Sequence, residues 1–413
     1  MTQSEPKPLD ETRLNRTLTL PWLVFYGLGV TVGAGIFALI GEIVGLAGTA
    51  APAAFLVAGI IAGVTGISYS LLVRVYPVAG GEAIFVTRGL GPLAGSLAGF
   101  GVAVTGIVSS ATIALAFSGY ASSLIGLPQW VFVSTIVVLL TAIAWWGVRE
   151  SVIFATIITI LEVGTLLVIA AFGFPLLADL PPLPELSGFS GGLASLAPVL
   201  SAAVIAFFAF VGFEDIVNMA EETIDASATA PAAIIWTLSL TVIIYVALAL
   251  IAVALPDRAA LVASDAPMAV LFNQVTGFNG DPISVLAAIA MVNGILVQIV
   301  MSARILYGMA GEGLIPAWFG EVDQRRRTPA RATFVVAAII LVLALTFPLI
   351  HLAEMTSLVV LAVFTVVNVA LFRLGAQHAD EKLGRWRYWG VFGALLTGAI
   401  LLFQLASRAG LLG

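Results

Sequence analysis

This 413-residue sequence has no cysteine and only two histidines, and charged residues make up 10% of it. Without cysteine there are no disulfides, thiolate metal sites or cysteine nucleophiles. His351 and His378 are expected at opposite membrane faces, where they cannot share a metal. A soluble domain carries about 25% charged residues. No phosphate loop, metal cluster or nucleophile triad can be picked out, so no enzyme activity, cofactor or nucleic-acid partner is expected. The first twenty residues lack an apolar core followed by a small-residue cleavage site, which predicts an uncleaved first span rather than a removed leader.

What is abundant is apolar sequence, at 61% of residues. It falls into runs close to the roughly 20 residues that cross a bilayer as a helix. The runs lack the alternation of a membrane barrel, so an all-α integral membrane protein is expected. Eleven spans are predicted, near 21–46, 50–73, 92–119, 128–147, 152–177, 196–220, 232–255, 282–310, 332–350, 354–373 and 388–407. Two outer connections are longer, 178–195 and 256–281, and the first, with Pro181, Pro182, Pro184 and paired glycines, reads as an irregular loop. With the N-terminus inside, fifteen basic residues share its side: Lys7, Arg13, Arg16, Arg74, Arg88, Arg149, Arg304, Arg325, Arg326, Arg327, Arg331, Arg373, Lys382, Arg385 and Arg387. Only Arg258 and Arg408 fall on the other. That bias predicts a cytoplasmic N-terminus and, by the odd count, a C-terminus outside.

Two glycine-centred stretches interrupt the spans at corresponding places, Gly33-Ala34-Gly35-Ile36-Phe37 in span one and Phe210-Val211-Gly212-Phe213-Glu214 in span six. Broken backbone inside a bilayer survives only where protein or a water-filled cavity satisfies it. Paired breaks point to the binding site of a transporter. Five spans per half, each half opening on a break, predict an inverted repeat: residues 1–20 as a cytoplasmic tail, 21–177 and 196–373 as the two halves, and 388–407 as an added span.

The small residues around Gly33 leave the backbone approachable, so free amides there can hold a carboxylate with help from the helix dipole. Close helix packing is the alternative reading. At the second break, carbonyls before Gly212 can accept from an ammonium, and Phe208 can close over a ligand. Glu214 and Asp215 either serve this site or cap the helix that follows. Glu162 lies amid apolar residues of span five. It can carry a proton, bind a cation, or pair with a buried polar group. The basic run Arg325-Arg326-Arg327 reads as a topology determinant.

Four stretches together resemble the amino acid–polyamine–organocation transporter superfamily, in its bacterial amino acid permease branch. They are the first break, Phe207 to Glu222, Pro77 to Glu82, and Ser302 to Tyr307 with Gly313 to Pro316. The resemblance departs from the usual twelve spans. It implies the five-plus-five fold shared with sodium-coupled leucine transporters, with helices one and six discontinuous. It further implies that Thr31, Gly33, Ala34, Gly35 and Ile36 meet the substrate's carboxylate and amino group. Phe207, Phe208, Phe210, Val211 and Gly212 would offer carbonyls and a gate. Glu214 would match a glutamate linked to proton sensing. Glu162 stands where proton-coupled relatives often place a lysine. Ser302 would be an oxygen ligand if the coupling ion were sodium rather than a proton. The expected function is secondary transport of amino acids across the bacterial inner membrane by alternating access, through symport or exchange. A polyamine or inorganic-cation carrier of the same fold is the alternative, and a channel or ligand sensor the rival of another class. The expected partners are a small-molecule substrate and the bilayer, with homo-oligomerisation left open.

Overall fold

A computed structural model describes residues 16–78, 80–147, 152–188, 196–323, 325–377 and 383–409. Lys7, Arg13, Arg149, His378 and Lys382 lie outside the described residues, as does most of the tail at 1–20. Among the described residues the regular structure is helical, with no strand beyond one isolated bridge between Leu18 and Thr223.

In chain order the helices are α1 (Leu20–Thr31), α2 (Ala34–Ala47), α3 (Ala51–Val75), α4 (Gly81–Leu90), α5 (Pro92–Ile125), α6 (Gln129–Trp146), α7 (Val152–Gly173), α8 (Leu183–Leu186) and α9 (Leu196–Phe207). They continue as α10 (Ala226–Ala254), α11 (Arg258–Val262), α12 (Pro267–Thr276), α13 (Asp281–Gly311), α14 (Ala330–Thr346), α15 (Leu349–Gln377) and α16 (Arg387–Arg408). Among the described residues, nine helical segments are long and apolar enough to cross a membrane, one of them Ala34–Val75. The apolar helices Leu20–Thr31 and Ala330–Thr346 are shorter.

The starts and stops follow local chemistry. Proline opens α3, α5, α12 and α13 at the first turn, where its missing amide would have had no partner anyway. Gly147, at φ 90, ends α6 in a backbone conformation that other residues rarely adopt. The outer connection at 256–281 carries α11 and α12. Asp257 caps α11 by accepting from the Ala260 amide at 3.0 Å. Proline at 267 starts α12.

Inside the bundle, few polar groups are available, and most are used between helices. Asn368 on α15 accepts from the Ser68 hydroxyl (2.6 Å) and donates to Thr65 (3.2 Å), binding α15 to α3. Such bonds contribute modestly in a membrane, about 0.6 kcal/mol each. α16 is tied to the bundle at both ends. Near its start Trp389 donates to the Val64 carbonyl at 3.0 Å. Near its end Arg408 and Gln404 donate to the buried Glu354 of α15.

Candidate functional site

α1 stops at Thr31 because Val32 (φ −88, ψ 61) and Gly33 (φ −118, ψ −136) leave helical geometry before α2 begins at Ala34. The first amides of any helix lack partners within the helix. Here no side chain caps them. The start of α2 therefore presents unfilled donors and the positive end of a helix dipole.

The second break is longer. α9 gives way to a tight 3-10 turn, Phe208–Phe210, then to extended Val211 (φ −64, ψ 135) and to Gly212 at φ 120. Gly212 is required twice over. Its φ disfavours any side chain, and a Cβ would fall 2.8 Å from the Val30 carbonyl oxygen. The chain resumes as a 3-10 helix, Phe213–Glu222, where the sequence pattern alone reads as an ordinary span. Glu214 folds back to accept from the Gly212 amide at 2.9 Å. It therefore occupies the break's own donor.

The two breaks lie against each other. A Cβ on Gly35 would come 2.5 Å from the Cα of Ala209, so Gly35 is where the two chains cross at closest approach. Tyr245 of α10 joins them. Its hydroxyl lies 2.9 Å from the Ala209 carbonyl and 3.1 Å from the Thr31 carbonyl, one at each break, and shares its single proton between them. Main-chain bonds join the same two spans below: the amides of Thr17 and Leu18 donate to the Glu222 carbonyl, and Ile224 donates to Leu18. Tyr245 was not legible in the sequence, because a tyrosine in an apolar run looks like core. Tyr245→Phe should lower stability by about 1–3 kcal/mol, since both carbonyls lose a buried donor. A thermal-unfolding midpoint equal to wild type in the same detergent would contradict this role.

The expected site residues divide by their surroundings. Gly33, Ala34 and Val211 are partly exposed, and a Cβ on Gly33 would meet nothing within 4 Å. Thr31 is 2% exposed, and its hydroxyl has no hydrogen-bond partner among the described residues. Phe208 is 5% exposed at the turn. Gly35, Ile36 and Gly212 are buried in the crossing of the two spans. Phe207 stacks edge-on against Phe364 (5.8 Å), and Phe210 against Tyr245 (5.1 Å), so these two rings pack into the core.

Glu162 on α7 is 3% exposed and makes no hydrogen bond among the described residues. α7 packs against α1 and α10, the helices that carry the first break and Tyr245. Thr159, three residues earlier on α7, packs so closely on α1 that a Cβ at Gly29 would overlap its hydroxyl. Ser302 turns elsewhere: its hydroxyl donates to the Ala103 carbonyl of α5 at 3.2 Å.

Beyond the second break a second polar cluster forms. Asn218 accepts from the Gly80 amide at 3.2 Å and donates to Asp215 at 3.4 Å. Glu82 of α4 accepts from the Tyr69 hydroxyl at 2.9 Å. Burial pushes the Glu82 carboxyl above its usual range, although a backbone amide and Tyr69 pull it back. None of Tyr69, Glu82 and Asn218 was singled out as functional from sequence, and the contact that brings α4 to the second break joins residues 138 apart along the chain.

Apolar helices arranged around two facing breaks define a multi-pass membrane protein of the transporter class. The chain belongs to the amino acid permease family, whose profile matches residues 17–407. It is 31% identical to an uncharacterized transporter of Mycobacterium tuberculosis H37Rv, covering 98% of this chain and 92% of that one. It is 29% identical to a low-affinity putrescine importer of Escherichia coli K12, covering 95% and 89%. It is 27% identical to a methylthioribose transporter of Bacillus subtilis 168, covering 89% and 83%. The family and these relatives are transporters, not enzymes.

Proposed function

We propose that this chain is a secondary active carrier of amino acids in the bacterial inner membrane, working by alternating access around the two breaks. α1 with α2 forms span one, and α9 with the 3-10 segment to Glu222 forms span six. Counting these as single spans gives eleven, arranged as two inverted halves, 21–177 and 196–373, plus 388–407. The N-terminus faces the cytoplasm and the C-terminus the outside. The observation that carries this reading is the uncapped start of α2 beside an open Gly33, pressed against a second break. The α2 amides and the Thr31 hydroxyl hold the substrate carboxylate. The carbonyls of Phe208 to Val211 take its ammonium group, with the Phe208 ring over it.

Glu162 is the coupling group. It is a buried carboxylate with no hydrogen bond among the described residues, on a helix packed against α1 and α10. Proton coupling fits it better than sodium, because the Ser302 hydroxyl is directed at α5. Glu214 acts on the same site by holding the Gly212 amide.

Small neutral amino acids suit the apolar and small residues around the breaks. A polyamine carrier is the second reading, favoured by Glu214 and Asp215 at the second break and by the likeness to a putrescine importer. A ligand-stabilisation screen of purified protein against amino acids, diamines and sugars, at two pH values, separates them. Stabilisation by neutral amino acids supports the first reading. Stabilisation by putrescine alone supports the second, and by neither class overturns both.

A further inference from the structure

The segment between α13 and α14 is shaped more closely than a topology signal requires. Arg325, Arg326 and Arg327 lie on a tight turn closed around Asp323. The Asp323 carboxylate accepts from the amides of Arg325 (2.9 Å) and Arg326 (3.0 Å), and its carbonyl accepts from the Arg327 amide (2.7 Å). The amides of Arg326 and Arg325 hold the Asp323 carboxyl below its usual range, so it stays charged. Arg327 stands at φ 55, a left-handed conformation usually left to glycine. The Thr328 hydroxyl donates to the Trp145 carbonyl at 2.9 Å, fixing the turn to the end of α6.

Aromatic rings hold two of the guanidinium groups. Arg326 lies 3.6 Å from the centre of the Trp145 ring and 4.8 Å from that of Trp146. Arg331 lies 5.3 Å from the Trp318 ring centre and pairs with Glu321. Arg325 and Arg327 remain exposed. Beside them Trp146 is 70% exposed and Trp318 47% exposed. From Glu312 to Arg331, four arginines stand against Glu312, Glu321 and Asp323, so this stretch is one charge positive.

We propose that this turn is a preformed seat for the phosphate of an anionic phospholipid. Arg325 and Arg327 donate to the phosphate, and Trp146 and Trp318 lie at the boundary between headgroups and acyl chains. Orienting a loop needs only positive charge. A closed turn with a left-handed arginine, a stacked guanidinium and adjoining exposed tryptophans fixes a shape as well, and shape matters only for a specific contact. The proposal rests on the membrane reading of the chain but not on its orientation or substrate, since a nanodisc offers the same lipid on both faces.

The test uses the full chain in nanodiscs of phosphatidylcholine alone and of phosphatidylcholine with phosphatidylglycerol. The wild type should unfold several degrees higher with phosphatidylglycerol present, and an Arg325→Gln/Arg327→Gln double variant should lose most of that gain. In a phosphatidylglycerol titration the double variant should bind roughly thirtyfold more weakly, at about 1 kcal/mol per arginine. Arg327→Gly guards against a folding defect. It suits the left-handed turn, so it should match or exceed wild type in phosphatidylcholine alone while gaining less from phosphatidylglycerol. Equal gains in wild type and both variants would overturn the proposal. So would inorganic phosphate reproducing the gain in phosphatidylcholine alone, which would mark a free-anion site.

Discussion

Gly33→Leu should fold like wild type yet bind no amino acid, while Gly35→Leu should fail to fold. The two glycines are two residues apart and meet opposite surroundings. A Cβ at Gly33 has open space, so a leucine there projects into the opening before the first amides of α2. Those amides are the proposed carboxylate donors. Losing two charge-assisted hydrogen bonds costs about 3–6 kcal/mol, more than a hundredfold in affinity. At Gly35 the obstacle is the Ala209 backbone, 2.5 Å away, which cannot rotate aside. Overpacking of this kind typically costs about 1–3 kcal/mol and more when backbone must move. Scintillation proximity binding with a ligand from the screen, alongside size-exclusion profiles, checks both. Normal affinity in Gly33→Leu would remove the first break from the site.

Glu162→Gln should flatten the pH dependence of uptake while leaving binding near wild type. Glutamine keeps the size of the side chain and cannot titrate. If Glu162 carries the proton inward with substrate, wild-type uptake rises as the outer solution is acidified, because the protonated carrier is the one that moves. With glutamine the carrier is permanently in an uncharged form, so the outer pH no longer sets its rate and substrate no longer accumulates against its gradient. Counterflow exchange, which needs no net proton movement, should persist. Proteoliposome uptake at several outer pH values, with a fixed interior, reads this directly. A variant that keeps the wild-type pH profile would exclude Glu162 as the carrier.

The sequence was most informative where chemistry is local. Glycine at 33 and 212 marked the breaks because only backbone with little side chain can open in an apolar run. The expected spans lie on α3 and α6 to within two residues, and on α5 and α10 to within six, for the same reason: apolar length is visible without tertiary knowledge. What stayed hidden depends on partners distant in the chain. Gly35 and Gly33 look alike in sequence and are separated only by whether Ala209 lies opposite. The hydroxyl of Tyr245 reaches two carbonyls more than thirty residues away. Glu214 was open between site and cap, and the structure shows it accepting from the Gly212 amide. Ser302 was expected as an oxygen ligand only if the coupling ion were sodium, and the bond its hydroxyl makes to the Ala103 carbonyl of α5 could not be read from sequence. Helices α11 and α12 went unnoticed in the outer connection 256–281 because each is too short to show a clear period.

The chain lacks cysteine, so a single Ala34→Cys substitution, beside the open Gly33 and on a position that already carries a Cβ, creates its one reactive thiol. Its rate of modification by a small polar thiol reagent, with and without saturating substrate, measures directly whether a ligand sits against the opened backbone of span one. Strong slowing by substrate, with no slowing of a cysteine placed at exposed Trp146, is the predicted result. Identical rates with and without substrate would mean that the amino acid binds somewhere else.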